Sequence, residues 1–476
     1  MQTDPDPPPI VARRALSGLW QSAGLEGDAD DDVTLPGAEP ALPTSFPVAT
    51  ALQAALGAAA RAAARIGRQR GGPEQTVSVD ALDVVRESAA HFLLNGRSPE
   101  MWDKISGLYA CGGDAAPGWV RIHTNFEHHR DGALRLLGLP PGPGTERAAV
   151  AAALQAWRAL DFEQAAADAG LVVAALRRFD EWDAHPQGAA VAAQPLVSIE
   201  RCGDAPVEPA GPLLEPGQRP LQGLRVLDLT RILAGPVAGR TLASFGADVM
   251  LVNSPHLPNI ESIADTSRGK LSVHVDLRTG AGRDTLRSLV READVFLQGY
   301  RPGALAALGF GPDELARLRP GLVCVSLSAY GSQGPWAGRR GFDSLVQTAT
   351  GFNHAEALAF GQAEPRALPL QALDYGAGFL LAFGAQAALL QRAHQGGSWQ
   401  VQVSLARTGL WLRSLGRCLG FQRVAKPGFD DVLETQDSGF GRLQAVRPSA
   451  RFSHTPAAYV RPSRPPGSHP PAWPPR

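Results

Sequence analysis

The sequence predicts an α/β protein organised around a parallel sheet. From residue 224 onward, short apolar segments with the length of buried strands alternate with segments of helical periodicity. This alternation is typical of parallel strands that are covered by helices on both faces. The predicted strands are 224–229, 247–252, 271–276, 294–298 and 322–328, and a long apolar helix follows at 370–392.

The flanking segments are less regular. Residues 1–45 contain proline clusters and an acidic run, so we expect this segment to be largely disordered. Residues 46–200 combine helices with short strands. A linker rich in Pro and Gly, 201–220, leads into the sheet segment, 221–425. The remaining residues, 426–476, are a proline-rich tail whose last part we expect to be extended or unstructured.

The composition restricts the classes of partner. The 476 residues suffice for two or three domains, and the charges nearly balance, with 45 Lys and Arg against 46 Asp and Glu. This balance gives no support for a nucleic-acid partner or a polybasic membrane contact. Neither a signal peptide nor a transmembrane run is predicted. Little lysine suggests a bacterial source, and scattered cysteines without a CxxC pair favour reduced thiols in a cytoplasmic protein: Cys111, Cys202, Cys324 and Cys418.

Asp374 is the one carboxylate in the segment 370–392. Asp is a preferred N-cap residue, because its side chain accepts a backbone N–H group that the first turn leaves unpaired. A carboxylate at the positive end of a helix also stays ionised and can attack an acyl group. A weak internal repeat aligns 54–82 with 380–406 and places Ala49 opposite Asp374. The residues alone leave the capping and the nucleophilic roles open.

Four loops that the prediction places at strand ends combine Gly or Pro with basic residues. The first turn of the sheet carries no GxGxxG pattern, and no GxxxxGK[ST] motif is present. Four basic loops in one sheet nevertheless indicate a ligand that carries phosphate groups. The loops are "LTRILAGP" at 229–236, "TSRGK" at 266–270, "QGYRPG" at 298–303 and "SAYGSQGPWAGRRGFD" at 328–343.

Residues 221–423 resemble the class III CoA-transferases, the formyl-CoA and carnitine CoA-transferase type that includes α-methylacyl-CoA racemases. The resemblance is carried by "GLRVLDLTRILAGPVAGRTLASFGADV", "SRGKLSVHVDLRTGAGRDTLRSLV", "ADVFLQGYRPGALAALGFGPDEL" and "SAYGSQGPW". It implies a Rossmann-like CoA-binding domain with a smaller α+β domain. The segments "CGGDAAPGWVRIH" and 160–188 resemble the family's small domain, but they precede the sheet. The resemblance therefore implies a permuted order, in a fused and partly degenerate double copy.

The resemblance also implies a reaction. Asp374 would attack the thioester of an acyl-CoA, and CoA would pass to a free carboxylic acid through an aspartyl anhydride and an aspartyl thioester. CoA would be a substrate, no cofactor would be held permanently, and the protein would be a monomer or a homodimer. Asp343 would lie beside the nucleophile as the second catalytic residue, and the N–H groups of Tyr375 and Gly376 would stabilise the oxyanion. Gly112 and Gly113 would form a lid over the site.

The same resemblance assigns CoA contacts to a larger set of residues. These residues are Leu233, Ala234, Ser267, Arg268, Gly269, Lys270, Gly299, Tyr300, Arg301, Arg340 and Phe342.

Two alternative functions remain. Racemases of this family have a histidine at the position of Phe342, and Phe cannot exchange a proton, so racemisation is disfavoured. A non-catalytic CoA-binding scaffold is the other alternative, because half of the chain resembles a decayed copy. The histidines of "HTNFEHH" (123–129) lack the HExxH spacing and are interpreted as surface or packing residues.

Overall fold

The computed structural model of this chain describes residues 10–27, 32–114 and 116–475. The strands are β1 Val33–Thr34, β2 Val77–Val79, β3 Phe92–Leu94, β4 Gly107–Cys111, β5 Gly118–Ile122, β6 Val173–Ala175, β7 Ser198–Gly203, β8 Arg225–Leu229, β9 Asp248–Asn253, β10 Lys270–His274, β11 Val295–Gln298, β12 Val323–Ser328, β13 Ser398–Ser404, β14 Leu433–Ser438, β15 Gly441–Val446 and β16 Ala450–Phe452.

Sixteen α-helices lie among the described residues outside these strands. They are α1 Ala12–Ser22, α2 Val48–Gln69, α3 Ala81–Glu87, α4 Glu127–Leu136, α5 Arg147–Leu154, α6 Ala159–Asp168, α7 Phe179–Asp183, α8 Pro186–Ala192, α9 Ala234–Ser244, α10 Ile263–Thr266, α11 Gly280–Arg291, α12 Pro312–Leu318, α13 Asp343–Ala349, α14 Phe352–Ala359, α15 Ala372–Gln395 and α16 Leu405–Ser414.

The central sheet has seven strands in the order β10-β9-β8-β11-β12-β13-β7. All neighbours pair in parallel except β7, which runs antiparallel to β13. The five strands predicted from the sequence are confirmed, and the α/β class with them. The chain leaves β8 in one direction for β9 and β10, and returns on the other side through β11. The carboxyl ends of β8 and β11 therefore border the crevice where sheets of this kind bind ligands.

Helix α15 forms the centre of the core. It contains 24 residues, and every residue from Ala372 to Leu390 is buried against neighbours that include α2 and α9. The approach to α9 is close, because a Cβ atom on Gly378 would lie 2.7 Å from the carbonyl oxygen of Ala234. The helix is long and apolar enough to cross a membrane, but its apolar stretch is enclosed by the rest of the protein.

The two segments that were aligned as a repeat adopt similar local structures. In both, a long helix is followed by a Gly-Gly pair and a strand, and the N-cap residues Pro47 and Gln371 have matching backbone angles (φ −77° for both, ψ 64° and 63°). Strand β2 pairs in parallel with β1 and antiparallel with β16, just as β13 pairs with β12 and β7. Alignment of these N-caps places Thr50, rather than Ala49, opposite Asp374. The duplication itself stays a prediction.

The expectation of disorder at the two ends of the chain is wrong for the residues that the structure describes. Helix α1 buries Leu16, Leu19 and Trp20 against α2. The acidic run falls mostly on 28–31, which lie outside the described residues, as do 1–9. The C-terminal segment supplies β14, β15 and β16, and beyond them Trp473 donates to the Leu289 carbonyl at 3.0 Å. Burial of aromatic side chains and backbone pairing thus offset the conformational entropy that these proline-rich segments lose when they become ordered.

The predicted linker is held tightly rather than free. Its first residues belong to β7, and the buried guanidinium of Arg70 donates to the carbonyls of Pro212 and Pro220 at 2.7 and 2.8 Å. A smaller three-stranded antiparallel sheet, β4-β5-β6, has its own hydrophobic core with α4, α5 and α6. This smaller sheet contacts α13, so the first half of the chain reaches the region next to Asp374.

Candidate active site

Asp374 is the third residue of α15, not its N-cap. The N-cap is Gln371, whose side chain makes no capping bond. The capping group is instead the Asp343 carboxylate at the start of α13, which accepts the N–H groups of Leu373 and Asp374 at 2.7 and 2.9 Å. The capping role expected for Asp374 is therefore wrong. Within the described part of the chain the Asp374 carboxylate has no hydrogen-bond partner, so it is available for chemistry.

A cavity of about 240 Å³ lies in front of Asp374, and we call it the Asp374 cavity. One wall comes from the sheet segment and the start of α15, and it includes Ile232, Leu233, Phe342, Leu370 and Tyr375. The opposite wall comes from the first half of the chain, and it includes Ala89, Ala90, Met101, Trp102, His123 and Asn125. The lining is mainly apolar, which disfavours the charged form of any acid that faces the cavity.

The two carboxylates influence each other's protonation. Burial raises the pKa of Asp343 to about 6, and its hydrogen bonds with the Asp374 N–H group and the Gln347 amide oppose this rise. Burial and the Asp343 charge raise the pKa of Asp374 well above its usual range. Because Asp343 receives the stabilising N–H groups, the first negative charge of the pair lies on Asp343, and Asp374 ionises last. The expectation that the helix start keeps Asp374 ionised is therefore wrong.

This arrangement predicts a pH dependence that Asp343 controls. A nucleophilic Asp374 must be ionised, so the rate of any reaction at Asp374 should rise as pH rises through the raised pKa of Asp374. Asp343→Asn retains a side-chain oxygen that can accept the two N–H groups, but it removes the neighbouring charge. The pKa of Asp374 should then fall, and the rising limb of the pH–rate profile should move to lower pH. An unmoved limb in a correctly folded variant would contradict the coupling.

A second cavity, of about 370 Å³, opens at the carboxyl ends of β8, β11 and β12, and we call it the arginine cleft. Three of the four basic loops meet there and contribute Arg231, Arg301 and Arg340. Burial and the charge of Arg301 lower the pKa of Arg340. A cluster of cations with few opposing carboxylates is favourable for a ligand that carries phosphates. Predicted contact residues Gly299, Tyr300 and Phe342 also line this cleft.

The two cavities adjoin. Ile232 and Phe342 line both of them, so a ligand held in the arginine cleft can extend toward Asp374 along the loop after β8. Ile232 has φ +77°, a left-handed conformation that is strained for a β-branched residue. Strained backbone of this kind is concentrated at functional sites. The predicted contact residue Leu233 follows it and lines the Asp374 cavity, whereas Ala234 is buried at the start of α9.

The turn 266–270 does not reach either cavity, and its prediction as a ligand loop is corrected. Lys270 is the first residue of β10, so the turn lies at the amino end of a parallel strand, opposite the edge that holds the crevice. The Lys270 ammonium is fully buried and donates to Asp228 at 2.8 Å. Arg268 is also buried and pairs with Asp265. Ser267 and Gly269 share this buried turn, and Ser267 donates to the Ile263 carbonyl within it.

Two further predicted roles concern the lid and the oxyanion donors. Gly112 and Gly113 form the turn between β4 and β5, and neither lines the Asp374 cavity or the arginine cleft. His123, which does line the Asp374 cavity, follows the other end of the five-residue strand β5, roughly 15 Å away at ~3.4 Å per residue. In this conformation the turn does not cover the site, and its lid role stays a prediction. The N–H group of Tyr375 bonds to the Gln371 carbonyl at 3.1 Å, so it is not a free oxyanion donor.

Sequence reasoning missed the wall that the first half provides. Trp102 and His123 were not assigned to the site, although the ring of His123 stacks on Phe342 with centroids 4.1 Å apart. Asn125 accepts the Asp103 N–H group and donates to the Met101 carbonyl, which fixes the loop that carries Trp102. The only signal was the position of "HTNFEHH" directly after the small-domain-like "PGWVRI".

Comparison with known proteins finds a family match for the sheet segment. Residues 221–416 match the model of CoA-transferase family III, and this range contains Asp374 and the loops of the arginine cleft. This segment of the chain is therefore similar to CoA-transferase family III.

Similar proteins include several that are named as CoA-transferases. Acetyl-coenzyme A transferase nodX of Hypoxylon pulicicidum is 37% identical over 219 residues, which cover 45% of this chain and 36% of that protein. Probable fatty acyl-CoA transferase Rv3272 of Mycobacterium tuberculosis is 35% identical over 221 residues, covering 44% and 56%. A crystal structure of Rv3272 superposes with a TM-score of 0.39 at 36% identity, over 42% of this chain and 58% of that one. This chain spans about half the length or less of these curated relatives.

Proposed function

We propose that this protein transfers CoA from an acyl-CoA thioester to a free carboxylic acid, with Asp374 as the nucleophile. The observation that carries the proposal is the Asp374 carboxylate, which has no hydrogen-bond partner among the described residues and faces a mainly apolar cavity that adjoins the arginine cleft. The cleft suits the phosphates of CoA, and the apolar cavity suits the acyl group. Names of relatives such as the formyl-CoA:oxalate CoA-transferase of Streptomyces coelicolor, 31% identical over 197 residues, support the same class of reaction.

The proposed reaction begins when an Asp374 oxygen attacks the thioester carbonyl carbon. The C–S bond breaks, its electron pair leaves with sulfur as CoA thiolate, and an acyl-aspartyl anhydride remains. The thiolate then attacks the aspartyl carbonyl of the anhydride and releases the first acid. The enzyme now carries an aspartyl-CoA thioester. The incoming carboxylate attacks this thioester to form a second anhydride and free the thiolate. Attack of that thiolate on the new acyl carbonyl gives the new acyl-CoA and restores Asp374.

Each anhydride must be protected from water. The wall formed by Ala89, Ala90, Met101 and Trp102 covers the cavity from the side opposite α15, so the first half of the chain supplies part of this protection. This arrangement supports a single active site that both halves of the chain complete. The four free cysteines, none of which lines the Asp374 cavity, fit the cytosolic location proposed for the enzyme.

Intact-protein mass spectrometry with a panel of acyl-CoAs tests the proposal. Incubation with a reactive acyl-CoA should add the mass of an acyl group or of CoA, and hydroxylamine should remove the adduct and leave a hydroxamate at Asp374. A protein that lacks Asp374 should remain unmodified. Adding a series of free acids should then produce new acyl-CoAs. Thermal stabilisation by acyl-CoA without any adduct would support the scaffold alternative and contradict the enzyme.

A further inference from the structure

We propose that His123 is a catalytic residue that donates a hydrogen bond from Nε2–H to the carbonyl oxygen of the bound thioester as that oxygen becomes an oxyanion. The inference rests on the proposed transfer reaction and assigns a role in it to a residue from the first half of the chain.

His123 is held rigidly at the site. It follows β5 directly and its backbone N–H group donates to the Val172 carbonyl at 3.2 Å. Its ring stacks on Phe342 at 4.1 Å between centroids and 16° between planes, and meets the Trp102 ring edge-on at 5.8 Å. The residue is 5% exposed and lines the same cavity as Asp374. A group fixed in this way loses little conformational entropy when it binds a transition state.

The surroundings of His123 determine its charge and its tautomer. Burial, with smaller contributions from His129 and Arg121, lowers the pKa of His123 to about 3 against a small opposing effect of its own backbone, so the imidazole is neutral near pH 7. Nδ1 is buried and has no hydrogen-bond partner among the described residues. A buried N–H group without an acceptor is costly, so the proton is favoured on Nε2, the nitrogen left for the cavity. A neutral imidazole can donate to an oxyanion without transferring its proton.

The reaction requires such a donor. When the Asp374 oxygen bonds to the carbonyl carbon, the π electrons of the C=O bond move to the oxygen, and they return when the C–S bond breaks. The backbone N–H group of Tyr375 is already bonded within α15 and cannot serve. The His123 N–H group stabilises the transient oxyanion through a hydrogen bond that is stronger in the transition state than in the bound substrate. Each step balances without proton transfer to or from His123.

Three variants test the inference. His123→Phe keeps an aromatic ring on Phe342 but has no N–H group, and its kcat should fall about 100- to 1000-fold with little change in KM, as expected for loss of one oxyanion donor. His123→Gln places an amide N–H group near the position of Nε2 and should recover at least part of the activity. His123→Asn places its amide near Nδ1 and should not.

The outcomes separate this inference from the proposed function. If the wild-type protein forms no Asp374 adduct with any acyl-CoA, both fail. If it transfers CoA and His123→Phe, shown to be folded by its melting curve, keeps the wild-type kcat, only the donor role fails. Should His123→Phe not fold, the Gln and Asn variants still decide, because equal activity in both contradicts an Nε2 donor. Exchange of the α-proton of the acyl group into D₂O that depends on His123 would identify a base and also overturn the donor role.

Discussion

Asp374→Asn should reduce CoA transfer at least about a thousandfold, as expected when a covalent nucleophile is removed. The Asn side chain has nearly the same shape, but its amide has no anionic oxygen and cannot form the anhydride. Steady-state transfer rates, together with intact-protein mass spectra, measure the loss. Asp374→Ser is a useful companion variant, because Ser also lacks the carboxylate but is smaller than Asn.

Asp374→Asn should also be more stable than the wild-type protein at neutral pH. The folded-state pKa of Asp374 is raised, so the unfolded chain ionises this group first and is stabilised as pH rises above about 3.9. Asn has no charge to lose on folding, so the variant does not lose this free energy of folding. The gain in melting temperature should therefore vanish below about pH 3.9, grow as pH rises toward the folded-state pKa, and stay constant above it.

Two results would contradict the assignment. A folded Asn variant that transfers CoA at a near wild-type rate would show that Asp374 does not attack the substrate. A variant that is destabilised at neutral pH would show that the carboxylate holds the start of α15, contrary to the capping by Asp343. Loss of activity with increased stability is the combination that a catalytic acid in an unfavourable environment should produce.

The sheet was predictable because its strands depend on local signals. Each strand from 224 to 328 is a short apolar run, and a strand buried on both faces needs no partner information to be recognised. The prediction that the turn at Lys270 binds a ligand was wrong because this turn precedes its strand instead of following it. The sequence also does not show that a basic residue has a buried partner such as Asp228. The capping by Asp343 was not predictable because the two acids lie on different helices.

The wall of the Asp374 cavity depends on contacts between distant parts of the chain. Met101, Trp102 and His123 line the cavity beside the start of α15 because the smaller sheet packs against α13, and no local pattern encodes that contact. The prediction that the proline-rich C-terminal segment is unstructured was wrong for a related reason. Its order depends on pairing of β16 with β2 and on burial of Tyr459, which composition alone cannot indicate. Long-range packing therefore accounts for most of what sequence reasoning missed.

Removal of a cation from the arginine cleft should weaken the binding of CoA. Arg301→Ala and Arg340→Ala should each raise the dissociation constant by about 5- to 150-fold, which corresponds to about 1–3 kcal/mol for one charge-assisted contact. Both side chains line the cleft, and neither has a carboxylate partner among the described residues. Among the described side chains Arg340 forms a hydrogen bond only with the neutral ring of His129, at 3.3 Å, so both charges can pair with a phosphate. Titration calorimetry with CoA measures the effect.

Matched controls separate phosphate recognition from a general loss of charge. Arg317→Ala removes a cation that is exposed on α12, pairs with Glu314 and lines neither the Asp374 cavity nor the arginine cleft, so CoA affinity should not change. An S-acyl pantetheine, which lacks the nucleotide phosphates, should bind the wild type and the two cleft variants equally. Added salt should weaken CoA binding more in the wild type than in the variants, because each variant has one charge contact fewer for the salt to screen. Unchanged CoA affinity in both cleft variants would remove the phosphate assignment, whereas an equal loss for pantetheine and CoA would show that the arginines shape the cleft without contacting phosphate.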